Sequence, residues 1–222
     1  MTFDEEVVVL NSTRARDGLE VLHCLGRSTG RRSFLLRVGK SSRMSLLLPF
    51  SLLEISVTEN PRSELWTAKP VGLKHPLAGV RGDIRKNTMT LFMAELIYRT
   101  VKDGSAEEGL YDWCEGQILT LDALQTDYSN FPLYFLLSFC SALGFRPSAK
   151  DMLPFSGEHQ AVLERLMRSD LPSAMLLPLS GSVRNGIASS IVRYLEYHTE
   201  SSIHLRSLGV LREFYSDSSL NS

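Results

Sequence analysis

Cysteine is scarce in this 222-residue chain, with only Cys24, Cys114 and Cys140. An odd number at wide spacing argues against a disulfide framework and fits a reducing compartment. No CxxC pair occurs, which argues against a structural zinc site built from thiolates. Long apolar runs are also missing. The longest charge-free run, residues 128–145, has 18 residues and includes Asn130, Pro132 and three serines. That reads as a buried core helix rather than a membrane span. The opening "MTFDEEVVVL" is acidic where a secretory signal would be basic. A soluble cytoplasmic protein without membrane contact is expected.

Catalytic constellations are missing too. "GKSS" at Gly39 resembles the end of a phosphate-binding loop, but Phe34 stands where that loop needs glycine. "PLSGS" around Ser180 lacks the GxSxG elbow. The histidines, His23, His75, His159, His198 and His204, form no metal-ligand spacing with Cys, Asp or Glu. His23 and Cys24 are strand neighbours and point to opposite faces, so Cys24 reads as a buried thiol. No nucleophile–base pair can be named. No enzyme and no cofactor are expected.

What the chain does have is a concentration of positive charge. Its formal net charge is −1, yet residues 1–80 carry 11 Lys and Arg against 8 Asp and Glu. Residues 81–222 carry 13 against 17. Eight cations, Arg14, Arg16, Arg27, Arg31, Arg32, Arg37, Lys40 and Arg43, face only Asp17 and Glu20 within residues 11–43. A patch of that sign attracts polyanions if its side chains share a face.

The first third reads as strands: "EEVVVLNS", "LEVLHCLGR", "RRSFLLRVG", the long "SLLLPFSLLEISVT" with Pro49 marking a bulge or strand start, and "ELWTAKPVGLKH". Five short strands in about 75 residues suit a small closed Greek-key barrel of the oligonucleotide-binding (OB) type. Helical periods follow over "DIRKNTMTLFMAELIYRTVK", "EEGLYDWCEGQILTLDAL", "SNFPLYFLLSFCSALGF", "EHQAVLERLMRS", "SVRNGIASSIVRYLEYHTES" and "SLGVLREFYSD". The third is apolar nearly all round and belongs at the centre of a bundle, with Asn130 as its cap, Pro132 in its first turn and Gly144 at its end. Ser207 is a candidate cap for the last. The expected fold is α+β, an OB-type barrel over residues 1–78 followed by an all-helical domain over 79–222.

On the third strand, alternation turns Phe34 and Leu36 inward and points Arg31, Ser33, Leu35 and Arg37 outward. Arg32 at the turn and Lys40 and Arg43 beyond the strand extend that edge, and Arg14 and Arg16 lie in the first turn. Such cations would neutralise phosphates and release counterions. The barrel's aromatics, Phe3, Phe34, Phe50 and Trp66, are sent mostly inward, so few stacking platforms are expected and the reading is of a backbone binder. Arg81, Arg85 and Lys86 in "VRGDIRK" would prolong the surface across the junction.

With barrel and helices in that order, the chain resembles the RecO family of bacterial recombination mediators. The resemblance rests on "VVLNSTRARDGLEVLHCLGRSTGRRSFLLRVGK", "LLPFSLLEISV", "MAELIYRTV", "LLSFCSALGFRP" and "IHLRSLGVLREFY". It implies binding of single- and double-stranded DNA, annealing of complementary strands, and help in loading recombinase onto strands coated with single-strand-binding protein. It implies a RecR-like mediator and the acidic C-terminal tail of the coating protein as partners, and a bacterial, nucleoid-associated location. The matching cations, Arg14, Arg16, Arg31, Arg32, Arg37 and Lys40, would be DNA contacts. Many family members carry a four-cysteine zinc module after the "LGF" block, and here "RPSAKDMLPFSGEHQAVLERL" has none, so no zinc is expected. The competing reading is a non-catalytic adaptor whose barrel or helical groove grips an acidic protein tail.

Overall fold

The computed structural model describes residues 1–16, 18–37 and 47–217. Strands β1 (Thr2–Arg16), β2 (Leu19–Gly26), β3 (Gly30–Arg37), β4 (Leu52–Thr58) and β5 (Trp66–Leu73) close into a barrel in the order β1-β2-β3-β5-β4. β1 is long enough to serve two neighbours. Its first half pairs with β4 and its second half with β2. A register shift between Val9 and Asn11 leaves Leu10 unopposed and bends the strand round the corner. A short parallel pairing, Phe34 with Trp66 through Leu36 with Ala68, completes the circuit.

Alternation fills the interior with Val7, Val9, Leu22, Cys24, Phe34, Leu36, Leu53, Ile55 and Val57. The intervening Val8 and Leu10, with Leu25, Phe50 and Leu52, belong to the other core, that of the helices. This explains the unbroken run "VVVL": a strand covered on both faces has no side left for polar residues. The long apolar segment is not one strand. β4 begins at Leu52, and Pro49 and Phe50 form a turn before it, in which the Phe50 N–H donates to the Val9 carbonyl at 2.7 Å. Phe50 takes a left-handed φ of 59° and packs its ring against Phe135 across the junction.

The helical part comprises α1 (Ala78–Arg81), α2 (Ile84–Thr100), α3 (Leu110–Ala123), α4 (Phe131–Ala142), α5 (Ala149–Ser156), α6 (Gln160–Arg168), α7 (Leu171–Met175), α8 (Gly181–Thr199) and α9 (Ser207–Asp217). α4 lies at the centre, with Phe131, Leu133, Phe135, Leu136 and Phe139 fully buried. Pro132 sits in its first turn, and Gly144 beyond its end has φ 87°. Asn130 does not cap it. Its amide nitrogen donates instead to the carbonyls of Ala174 (2.9 Å), Met175 (3.3 Å) and Leu177 (2.8 Å), and its oxygen accepts from Arg184 Nε at 2.7 Å. A buried amide with four available bonds ties three elements together rather than satisfying one helix end. Ser207 likewise turns away from capping: its N–H and hydroxyl donate to Glu95 of α2.

The stretch without cysteines forms α5 and α6. A capping box, Ser148 with Asp151, starts α5, and Met152, Leu163 and Leu166 are buried in the shared core. Arg193 of α8 donates to the Phe155 carbonyl at 2.6 Å. Packing and capping therefore hold this region. Among the described residues, no helix is long and apolar enough to cross a membrane.

Candidate nucleic-acid interface

The cations expected to form one exposed ridge divide into those held at the junction with the helices, those at the uncovered part of the barrel, and Arg32; for Arg31 and Arg37 strand register explains the division. Arg31 shares a register row with Val8 and Leu25, whose side chains belong to the helical core. Outward from the barrel is therefore inward to the molecule at this row. Arg31 is 4% exposed, lies over the Tyr98 ring at 4.7 Å and faces Asp103 at 3.6 Å. Burial pulls its guanidinium below the ordinary value. Its backbone is held as well: its N–H donates to the Ser105 carbonyl at 2.8 Å, and its carbonyl accepts from Gly104 at 2.7 Å. At Gly30, which has φ 64°, a Cβ would meet that Ser105 carbonyl at 2.2 Å, so the hairpin tip needs glycine twice over.

Arg27 is locked by three carboxylates: Glu6 at 2.7 Å, Asp112 at 2.5 Å and Glu115 at 3.1 Å. Lys74 joins the same cluster through Glu6 at 2.7 Å and Glu115 at 2.6 Å. The hydrogen bond from Lys74, with a smaller one from Arg27, holds the Glu6 carboxyl below its usual value against burial. Arg81 donates to the Pro49 carbonyl (3.1 Å), Ser51 Oγ (3.2 Å) and Asn87 Oδ1 (3.1 Å), and burial lowers its pKa. Lys86 is 3% exposed and donates to the carbonyls of Asp122 and Leu124, where α3 ends. A buried ammonium there satisfies carbonyls that have no partner within their helix and complements its dipole. Arg31, Arg81 and Lys86, expected on the open surface, are thus mortar between barrel and helices, while Arg27 stays exposed but is engaged by carboxylates.

A smaller set stands at the uncovered part of the barrel. Register places Arg16, Leu19 and Arg37 side by side across β1, β2 and β3. The next row on that face is Thr13, Val21, Leu35 and Thr67, none of them buried. Arg37 is exposed, and of Arg16 only the backbone is described. Arg14 is also exposed and stands opposite Glu20 in the register. Arg85 is exposed in the first turn of α2, where Asp83 caps the helix by accepting from its backbone N–H at 2.8 Å. Lys40 and Arg43 lie outside the described residues.

Arg32 takes neither course. It shares its row with Val9 and Cys24, on the inner parity at the barrel rim, and is half-buried. Its guanidinium carbon lies 3.9 Å from the centroid of the Trp66 ring. Trp66 is also half-buried at the rim rather than closed in the core, and Phe3 meets it edge-on with centroids 6.2 Å apart. Sequence reading overlooked Arg62, exposed in the β4–β5 loop that borders a cleft of about 520 Å³ beside this stack. The signal was present: that loop is one of those flanking the ligand face in barrels of this type.

The thiols offer no chemistry. Burial pushes Cys24 and Cys140 up to about 12, and Cys114 well above its ordinary value. Among the described residues, no group of three or more His, Cys, Asp and Glu side chains could hold a metal ion.

Comparison with known proteins agrees with this architecture. A family profile described as "Recombination protein O C terminal" matches residues 81–152, covering α2 to α4 and the first half of α5. The DNA repair protein RecO of Phocaeicola vulgatus is 26% identical, with 94% of this chain and 97% of that protein aligned. The protein of that name from Bacteroides fragilis is 24% identical over 94% of this chain and 97% of its own length. That from Flavobacterium psychrophilum is 22% identical over 97% of this chain and its whole length. Barrel and helices are aligned together in these relatives, and the chain resembles the RecO family along nearly its whole length.

Proposed function

We propose that this chain is a DNA repair and recombination mediator that binds single- and double-stranded DNA, anneals complementary strands and helps load recombinase onto strands coated with single-strand-binding protein. The observation that carries the reading is the uncovered outer face of β1, β2 and β3. It ends on Arg37, with Arg16 in the same row, and leads into the chain that carries Lys40 and Arg43. In barrels of this type the strand 2–3 face takes the oligonucleotide. Cations there screen phosphate charge, which lowers the repulsion between two complementary strands and speeds their pairing. The unit over residues 1–78 supplies this surface, and residues 79–222 supply rigidity and docking for a RecR-like mediator and the tail of the coating protein. A cleft of about 410 Å³ lined in part by Leu10, Leu91 and Val210, with Arg99 and Arg206 beside them, has the mixed apolar and cationic chemistry that an acidic, hydrophobic tail requires.

Contacts with roughly five phosphates of a single strand give a log–log salt slope of about −3.5. The test is Arg37→Glu, Lys40→Glu and Arg43→Glu combined, read by oligonucleotide retention across a salt series, with thermal unfolding as the check on folding. The slope should fall by about 2 and retention at moderate salt should be lost. Arg31 is left in place because a carboxylate at that buried position would disturb the fold. A folded triple variant with unchanged affinity and slope would remove the DNA surface from this face.

A further inference from the structure

The Arg32–Trp66 pair is built unlike the other cation sites. Arg27 and Arg31 face carboxylates, and Arg81 and Lys86 donate to carbonyl and hydroxyl oxygens or an amide. Arg32 has no carboxylate partner among the described residues. Its Nη1 makes one long contact, 3.4 Å, to the Glu64 carbonyl, and its buried Nε has no hydrogen-bond partner. The indole under it holds it flat, and Phe3 braces the indole in turn. A planar cation is thereby stacked at the barrel rim.

The open cleft beside it is lined by the loop 59–64, which is preformed. Asn60 Oδ1 accepts from the Arg62 N–H at 3.1 Å, the Asn60 carbonyl accepts from Ser63 at 3.1 Å, and Ser63 Oγ accepts from Leu65 at 3.1 Å. Arg32 and Arg62 are balanced there by Glu59 and Glu64. A site with no net charge gains little from a row of phosphates. A neutral planar ring with a hydrogen-bonding edge suits it better: guanidinium planes and aromatic faces both stack nucleobases, and carboxylates accept from exocyclic amino groups. The volume, about 520 Å³, is in the range of small-ligand clefts.

We propose that the Arg32–Trp66 stack seats one unpaired base of single-stranded DNA, with bases bearing an exocyclic amino group favoured over thymine. The proposal rests on the DNA-binding reading above and adds to it a feature that reads single strand. A base paired within a duplex has both faces covered by its neighbours and cannot enter.

The experiment titrates labelled dC, dA and dT homopolymers and a duplex against the whole chain and against Arg32→Met, which keeps an unbranched stem and loses the planar cation. Single-strand affinity should fall about tenfold, most for dC and dA, with the salt slope and duplex affinity unchanged. A second readout uses a Trp113→Phe background, leaving Trp66 as the only tryptophan; saturating dC should quench its emission and duplex should not. Equal losses on single strand and duplex with a salt slope reduced by about 0.7 would make Arg32 a phosphate contact and overturn the base seat. So would unchanged affinity together with unchanged emission. Failure of the unaltered protein to retain any DNA at low salt would overturn the broader reading as well.

Discussion

Asn130 shows how much a single polar side chain can carry in this fold. Its amide serves three carbonyls at the end of α7 and fixes Arg184 of α8, in a site that is 1% exposed. Asn130→Ala would leave those groups to find water or remain unpaired, and a buried unpaired group costs about 1–3 kcal/mol. The expected loss is about 3 kcal/mol of unfolding free energy in urea at constant m-value; a loss under about 1 kcal/mol would mean that water takes the place of the amide. The sequence marked Asn130 as important but for the wrong duty, because helix-start position is visible locally and partners more than forty residues away are not. Lys86 repeats the lesson: its charge was legible, and its burial against the end of α3 was not.

At the scale of elements, the decisive joint is the one between the β2–β3 hairpin, β1 and α3. The Glu5 carboxylate organises the hairpin turn by accepting from Ser28 N–H at 2.9 Å, while Glu6, the next residue, faces the other way into the Arg27–Lys74 cluster. Alternation along one strand thus splits two adjacent acids between two tasks. Because Lys74 and Arg27 hold the folded Glu6 pKa below its ordinary 4.5, the unfolded chain binds the extra proton in acid. The stability that Glu6 contributes is complete above about pH 4.5 and is lost as pH falls through the folded value. Glu6→Gln should therefore be less stable than the unaltered protein near neutral pH, and the two stability curves should converge in acid. The gap should narrow at high salt, since the cluster is partly exposed. Urea midpoints between about pH 3 and 7 test this. Parallel curves would show that Glu6 is not held below its ordinary pKa.

For the whole molecule, barrel and helices share one apolar interface. Val8, Leu10, Leu25, Phe50 and Leu52 are all 3% exposed or less and pack into the helical core. At about 2 kcal/mol each they bury roughly 10 kcal/mol of transfer free energy, as much as a typical domain's entire stability. The boundary after residue 78 would then be a joint in topology rather than in folding. A single urea transition is expected, seen alike by Trp66 in the barrel and Trp113 among the helices. An excised 1–78 fragment should bind hydrophobic dye and aggregate, and a monomeric fragment that unfolds cooperatively would contradict this. The succession of strands and then helices along the chain, and the inward turn of Phe34 and Leu36, were determined by the sequence itself, because period-two and helical patterning record which face of an element meets apolar surroundings. Which arginines remain open was decided only by the tertiary structure. Alternation tells a side chain which face of its strand to leave from, but whether that face meets water or another layer depends on distant segments. Here α2, α3 and the loop between them cover the row of Arg31 and leave the row of Arg37 bare.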